Sequence, residues 1–120
     1  MPKQILTISY DENLLKTREL LLKGEGFTVK SALGFTEALR ACQNAAEFDL
    51  VILGHTIPHS DKVSLLSHVR KSCSAPVLSI VRHSEERLQG VDAYVSSQDG
   101  PKAFLDAVKR AVQLQAHATD

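Results

Sequence analysis

The run Asp49-Leu50-Val51-Ile52-Leu53-Gly54-His55-Thr56-Ile57-Pro58 constrains this chain more than any other stretch. Leu50 to Leu53 are apolar without interruption. A strand with one face in water alternates apolar and polar residues. A strand without that alternation is covered on both faces, as in the middle of a parallel sheet flanked by helices. The run leads through Gly54 into a loop closed by Pro58. In open α/β sheets, the crevice at the carboxyl ends of the strands is where ligands and chemistry are placed. Gly54 therefore marks a point of interest.

The remainder of the chain alternates strand-length apolar runs with stretches of helical period, which predicts βα units around a parallel sheet. Ile5–Ile8 reads as the first strand, with Asp11 as helix cap and Glu12 in the first turn, where the helix dipole favours negative charge. Leu14, Leu15, Leu21 and Leu22 share one face of that helix. Arg18 interrupts the face, and its charge is expected to snorkel outward. Phe27–Ala32 alternates as an edge strand does, and a short helix follows through Glu37–Cys42. A third helix, capped by Ser60 or Asp61, carries Val63, Leu66 and Val69. Pro76–Val81 and Ala93–Ser96 read as the fourth and fifth strands. Between them, Ser84–Gln89 suffices only for a short helix of about a turn and a half. Pro101 opens a last helix with a stripe of Phe104, Leu105, Val108, Ala111 and Val112. The expected fold is α/β: one domain over residues 1–120, with a doubly wound five-stranded parallel sheet of flavodoxin-like order 2-1-3-4-5 and a shortened fourth helix.

Composition narrows the function classes. Lys plus Arg and Asp plus Glu number 14 each, so there is no basic surplus for a polyanion, and no nucleic-acid partner is expected. Cys42 and Cys73 make no disulfide framework and read as free thiols in a reducing compartment. The apolar run after Met1-Pro2-Lys3 is too short for a signal peptide or a membrane span, which predicts a cytoplasmic protein without membrane contact.

The runs Asp49–Pro58, Pro76-Val77-Leu78 and Gly90–Val95 resemble those of response-regulator receiver domains, and the likeness extends from about Ile5 to Val112. In that family the central strand ends in an aspartate that takes a phosphoryl group. Magnesium, acidic ligands, a hydroxyl and a lysine assist from neighbouring strand ends, since transferred phosphoryl oxygens need hard cations and fixed positive charge. The resemblance implies that these parts are lost here. Gly54 stands in the acceptor position, and Ser9 and Tyr10 in the positions of the acidic pair. Asp11 lies one residue later and is read as a cap, a one-residue slip being enough to turn a side chain away. Val81 occupies the hydroxyl position, with Arg82 after it and Ser79 two residues too early. Ser97 replaces the lysine and Gln98 the proline that follows it.

Two further features carry expectations. His55, His59 and Asp61 lie in one loop with metal-ligand chemistry, but no second cluster completes a recognised spacing, so neither metal nor cofactor is expected. Tyr94 lies where receivers carry an aromatic that reports phosphorylation by changing rotamer. Here it is expected in one fixed rotamer, half-buried, with its hydroxyl in water, on a possible signalling face. The expectation that follows is a non-enzymatic pseudo-receiver: a phosphorylation-independent signalling module whose partner is a protein and whose oligomeric state is open. The alternative is a small-molecule or metal binder reusing the pocket above Gly54, where glycine leaves room and Ser9, Tyr10, His55, Ser96 and Ser97 supply polar groups.

Overall fold

Five strands, β1 (Gln4–Ser9), β2 (Thr28–Leu33), β3 (Leu50–Leu53), β4 (Val77–Val81) and β5 (Ala93–Ser96), form one parallel sheet in the order β2-β1-β3-β4-β5. The computed structural model of the protein describes residues 2–43, 48–72, 74–82 and 88–114. Its helices are α1 (Glu12–Gly24), α2 (Gly34–Gln43), α3 (His59–Ser72) and α4 (Gly100–Ala111). The doubly wound flavodoxin-like order read from the sequence is the order observed. The expected short helix over Ser84–Gln89 falls mostly outside the described residues, as do Cys73, His83 and the tail from Gln115.

Burial explains the uninterrupted apolar run. Leu50, Val51, Ile52 and Leu53 all have no exposed surface. Leu50 and Ile52 pack with Leu22, Phe104 and Val108 on the α1/α4 face, while Val51 and Leu53 pack with Ala38, Leu65 and Val69 on the α2/α3 face. A covered parallel strand requires apolar side chains at both parities.

Register brings the strand ends together. Ile8 lies beside Leu53, Leu53 beside Ser79, and Val81 beside Ser96. The Gly54 amide continues the ladder by donating to the Ile8 carbonyl at 2.9 Å. The opposite end of the sheet is fastened by Asp92, whose Oδ2 accepts from the Val77 amide at 2.8 Å and from Arg70 Nη2 at 2.9 Å. Gly26, at φ 93°, makes the left-handed turn between α1 and β2, a region that disfavours side chains with a Cβ.

Two helices differ from the sequence expectation in which side chains they bury. In α1 the buried residues are Leu15, Arg18 and Leu22. In α3 they are Lys62, Leu65, Leu66 and Val69, whereas Val63 is 49% exposed. A cation thus takes an inward position on each helix, and both cations reach the carboxyl end of the sheet.

Candidate functional site

The site is the crevice above the ends of β1, β3, β4 and β5. Gly54 lies at its floor, fully surrounded. A Cβ built on Gly54 meets the Ile8 carbonyl oxygen at 2.8 Å and Arg18 Nη1 at 3.0 Å. The room expected above the glycine is therefore taken by the Arg18 guanidinium. Arg18 does not snorkel outward: it is 8% exposed and lies on the inward stripe of α1 between Leu15 and Leu22. Its Nη2 lies 3.0 Å from His55 Nδ1. An arginine has no lone pair to accept with, so Nη2 donates and Nδ1 carries the lone pair. Its Nη1 is buried with no hydrogen-bond partner among the described residues, and so is Thr7 Oγ1 on β1. Burial pushes the Arg18 guanidinium below its ordinary value, and the negative charge of Asp11 works against that shift.

The second inward cation approaches from the other face of the sheet. Lys62 has no exposed surface. Its Nζ donates to Ser79 Oγ at 3.2 Å and to the Ile80 carbonyl at 2.9 Å. Ser79, also without exposed surface, is thereby engaged with α3 and is not presented to the crevice. Val81 closes the end of β4, and its carbonyl accepts from the Ser97 amide at 2.9 Å.

Ser9 and Tyr10 are committed to joining two loops. Ser9 Oγ lies 3.1 Å from Thr56 Oγ1, donates to the Asp11 carbonyl at 3.1 Å geometry, and accepts from the Asp11 amide at 3.0 Å. The Tyr10 amide donates to Thr56 Oγ1 at 2.9 Å. The Tyr10 hydroxyl donates to Asp61 Oδ2 at 2.7 Å. Burial first, then the hydrogen bond to Asp61 and its charge, raise the Tyr10 phenol above its ordinary value. Asp11 is a cap, as expected: its side chain accepts from the Leu14 amide at 3.1 Å.

The loop cluster of His55, His59 and Asp61 does not assemble. His55 engages Arg18, Asp61 engages Tyr10 in the first turn of α3, and His59 is exposed. Among the described residues, no group of three His, Cys, Asp or Glu side chains is arranged to hold a metal ion. The hydroxyl of Tyr94 is also not left to water. It donates to the Leu88 carbonyl, and the ring is half-buried.

Arg18 thus brings a buried guanidinium from α1 to Gly54, Lys62 holds its ammonium against Ser79 and Ile80 of β4 on the α3 side of the sheet, and Ser9 and Tyr10 supply hydroxyls at the end of β1. Sequence reading missed Lys62 altogether. The available signal was its spacing: positions 62, 65, 66 and 69 are one helical stripe, with the cation at its head.

Comparisons with known proteins agree with this architecture. No family model matches the chain. Among curated proteins it is 29% identical to the transcriptional regulatory protein GlrR of Escherichia coli K12, over 99% of this chain and 28% of that protein. It is 27% identical to the regulatory protein VanRc of Enterococcus gallinarum, over 99% of this chain and 55% of that protein. The chain thus spans less than two thirds of either relative. Among solved structures, it superposes on a CheY-like receiver domain protein from Methanospirillum hungatei JF-1 with a TM-score of 0.79, at 22% identity, covering 93% of this chain and 94% of that one. A structure of the histidine kinase ThkA in complex with the response regulator TrrA matches with a TM-score of 0.75 at 23% identity, covering 93% and 99%. Among the described residues, no helix is long and apolar enough to cross a membrane. With a 2-1-3-4-5 parallel sheet, response regulators as sequence relatives and receiver domains as structural neighbours, the chain has the fold of a CheY-like receiver domain of two-component signalling.

Proposed function

We propose that this chain is a phosphorylation-independent receiver module, non-enzymatic, that acts in signal transduction by binding a protein partner. The observation that carries the reading is Gly54 with Arg18 above it. The acceptor position has no side chain, and a guanidinium fills the space where the transferred group and its metal would sit. A divalent cation brought there would meet Arg18 rather than a carboxylate cage, and magnesium requires hard anionic oxygens. Retaining the fold without the reaction leaves surface recognition as the use of the domain. The equal numbers of basic and acidic residues favour a protein partner over a polyanion. We assign the module to the cytoplasm on the same footing, from a sequence whose two cysteines make no disulfide framework. The activities of longer regulators such as GlrR, of which this chain spans 28%, come into play only if it works beside further domains.

The test is mass measurement after incubation with magnesium and acetyl phosphate. The reading requires an unchanged mass. A phosphoryl increment located on Asp11, Asp61 or any other carboxylate removes it. Pull-down with the whole chain as bait then examines the binding half of the proposal.

A further inference from the structure

A groove of about 450 Å³ runs along the free edge of the sheet, its lining following β2 from Thr28 to Ala32 and completed by α2 and Phe48. β2 has β1 on one side and no strand on the other. The Thr28 amide donates to the Lys3 carbonyl at 3.0 Å, on the β1 side. Backbone direction alternates along a strand. Thr28, Lys30 and Ala32 therefore aim their amides and carbonyls at β1, while Val29 and Ser31 aim theirs outward. The Leu33 amide has the outward parity as well, and it donates to Glu37 Oε1 at 2.9 Å. The N–H and C=O groups of Val29 and Ser31 thus stand along the groove with no strand to pair with, which makes them a template for an added strand. Ser31 is held from the other face, where its Oγ donates to Glu19 Oε1 at 2.8 Å.

The side chains of the groove set what that strand must carry. Lys30 and Ala32 lie beside Leu6 and Ile8, on the α2 face of the sheet. Lys30 is exposed there and makes no ion pair among the described residues. Arg40 adds a second cation from α2, and Ala41 and Phe48 are apolar. Glu37, the acidic group of the lining, already accepts from the Leu33 amide. The groove is therefore amphipathic and positive on balance. A second copy of this chain fits it poorly. A twofold-related β2 keeps its faces and brings its own Lys30 to these cations, and like charges across a strand pair are unfavourable.

We propose that β2 takes up an extended, acidic segment of the protein partner as a sixth strand. The backbone of that segment pairs with Val29 and Ser31. Its groove-facing side chains set a carboxylate at Lys30 and an apolar group against Ala41 and Phe48. In strand addition of this kind, main-chain bonds give affinity and alternate side chains give specificity. The proposal rests on the reading of the chain as a protein-binding module and names where it binds and what chemistry it takes.

The experiment is an amide NMR titration of the whole chain with the end-blocked hexapeptide Val-Glu-Val-Leu-Val-Glu, against Val-Lys-Val-Leu-Val-Lys as the basic control. Alternation puts the two acids and the leucine on one face of such a strand. The expected result is saturable movement centred on β2, α2 and Phe48, slowed hydrogen exchange at the Val29 and Ser31 amides, and at least tenfold weaker binding of the basic peptide. Lys30→Glu should remove the preference for the acidic peptide. Ser31→Pro deletes an amide that faces away from β1, a change that edge strands tolerate, and should abolish binding. Equal affinity for the two peptides, movement centred elsewhere, unchanged exchange at Val29 and Ser31, or no saturable movement overturns the proposal. Should Ser31→Pro fail to fold, Lys30→Glu and the exchange measurement still decide it. A partner captured equally well by the wild type and by Ser31→Pro overturns this docking site and leaves the module reading standing. Acyl-phosphate labelling bears on that reading alone, so the two failures are distinguishable.

Discussion

Arg18 Nη1 lies 3.0 Å from the point at which a Cβ on Gly54 would stand, so the arginine and the glycine are two halves of one fit. The side chain missing from β3 is replaced in space by one arriving from α1.

A carboxylate placed at Gly54 should therefore not by itself make the chain accept a phosphoryl group. In Gly54→Asp the new carboxylate is placed against the Arg18 guanidinium and pairs with it. Ser9 and Tyr10 remain at the end of β1 without carboxylates for magnesium. We expect no magnesium-dependent mass increment from Gly54→Asp with acetyl phosphate, read by intact-protein mass spectrometry.

The contact distances set a stability prediction for the same pair. Gly54→Ala forces a methyl to within 2.8 Å of the Ile8 oxygen and should cost about 1–3 kcal/mol in urea unfolding, as overpacking does. Arg18→Met removes a buried charge with an unmet donor and should leave stability unchanged or raised by about 1–2 kcal/mol. The double variant should show a coupling of about 0.5–2 kcal/mol, because the alanine no longer meets the guanidinium. Additivity within error would mean that the two residues are independent.

Lys62 should behave as a core residue. With no exposed surface and its Nζ held by Ser79 Oγ and the Ile80 carbonyl, it should stay unmodified when surface lysines are acetylated under native conditions. Peptide mapping reads this directly. Lys62→Met keeps the stem but strands two acceptors and should cost about 1–3 kcal/mol, while Lys62→Ala adds a cavity and should cost more.

The Tyr10 phenol carries a pH dependence of defined sign. Its folded-state value is raised above the ordinary 10.0 by burial and by Asp61. The native state thus holds the proton more tightly than the unfolded chain. The stabilisation is complete below pH 10 and is lost as pH rises through the alkaline range above it. Denaturant unfolding of the wild type should show a declining stability above pH 10 that is shallower in Tyr10→Phe. Identical slopes would disconnect Tyr10 from the effect.

The fold was legible because its strongest signals are local. Leu50–Leu53 shows both-face burial in four residues, and the stripe of Phe104, Val108 and Ala111 shows its helical period directly. That Gly54 follows directly on the end of β3 was legible too, once register was assumed. What occupies the crevice was not. Arg18 lies at a core position by spacing, but hydropathy treats a cation there as an intruder, and only the glycine across from it explains how it fits. Lys62 is hidden by the same rule, since an inward lysine is defined by acceptors on a distant strand, Ser79 and Ile80. Val63 was favoured in its place because apolar character was taken to mean inward direction, yet the stripe runs through 62, 65, 66 and 69. The Tyr10–Asp61 bond joins residues 51 positions apart, and no local pattern announces it.

The bond from the Tyr94 hydroxyl to the Leu88 carbonyl has a consequence for timing. Swinging the ring outward sacrifices a hydrogen bond of about 0.5–1.5 kcal/mol, which alone reduces the outward state to about a tenth to a third of the molecules. If the module signals as proposed, a surface biased toward one arrangement presents the same face at all times, and its output would follow from how many copies the cell makes and which partner is at hand.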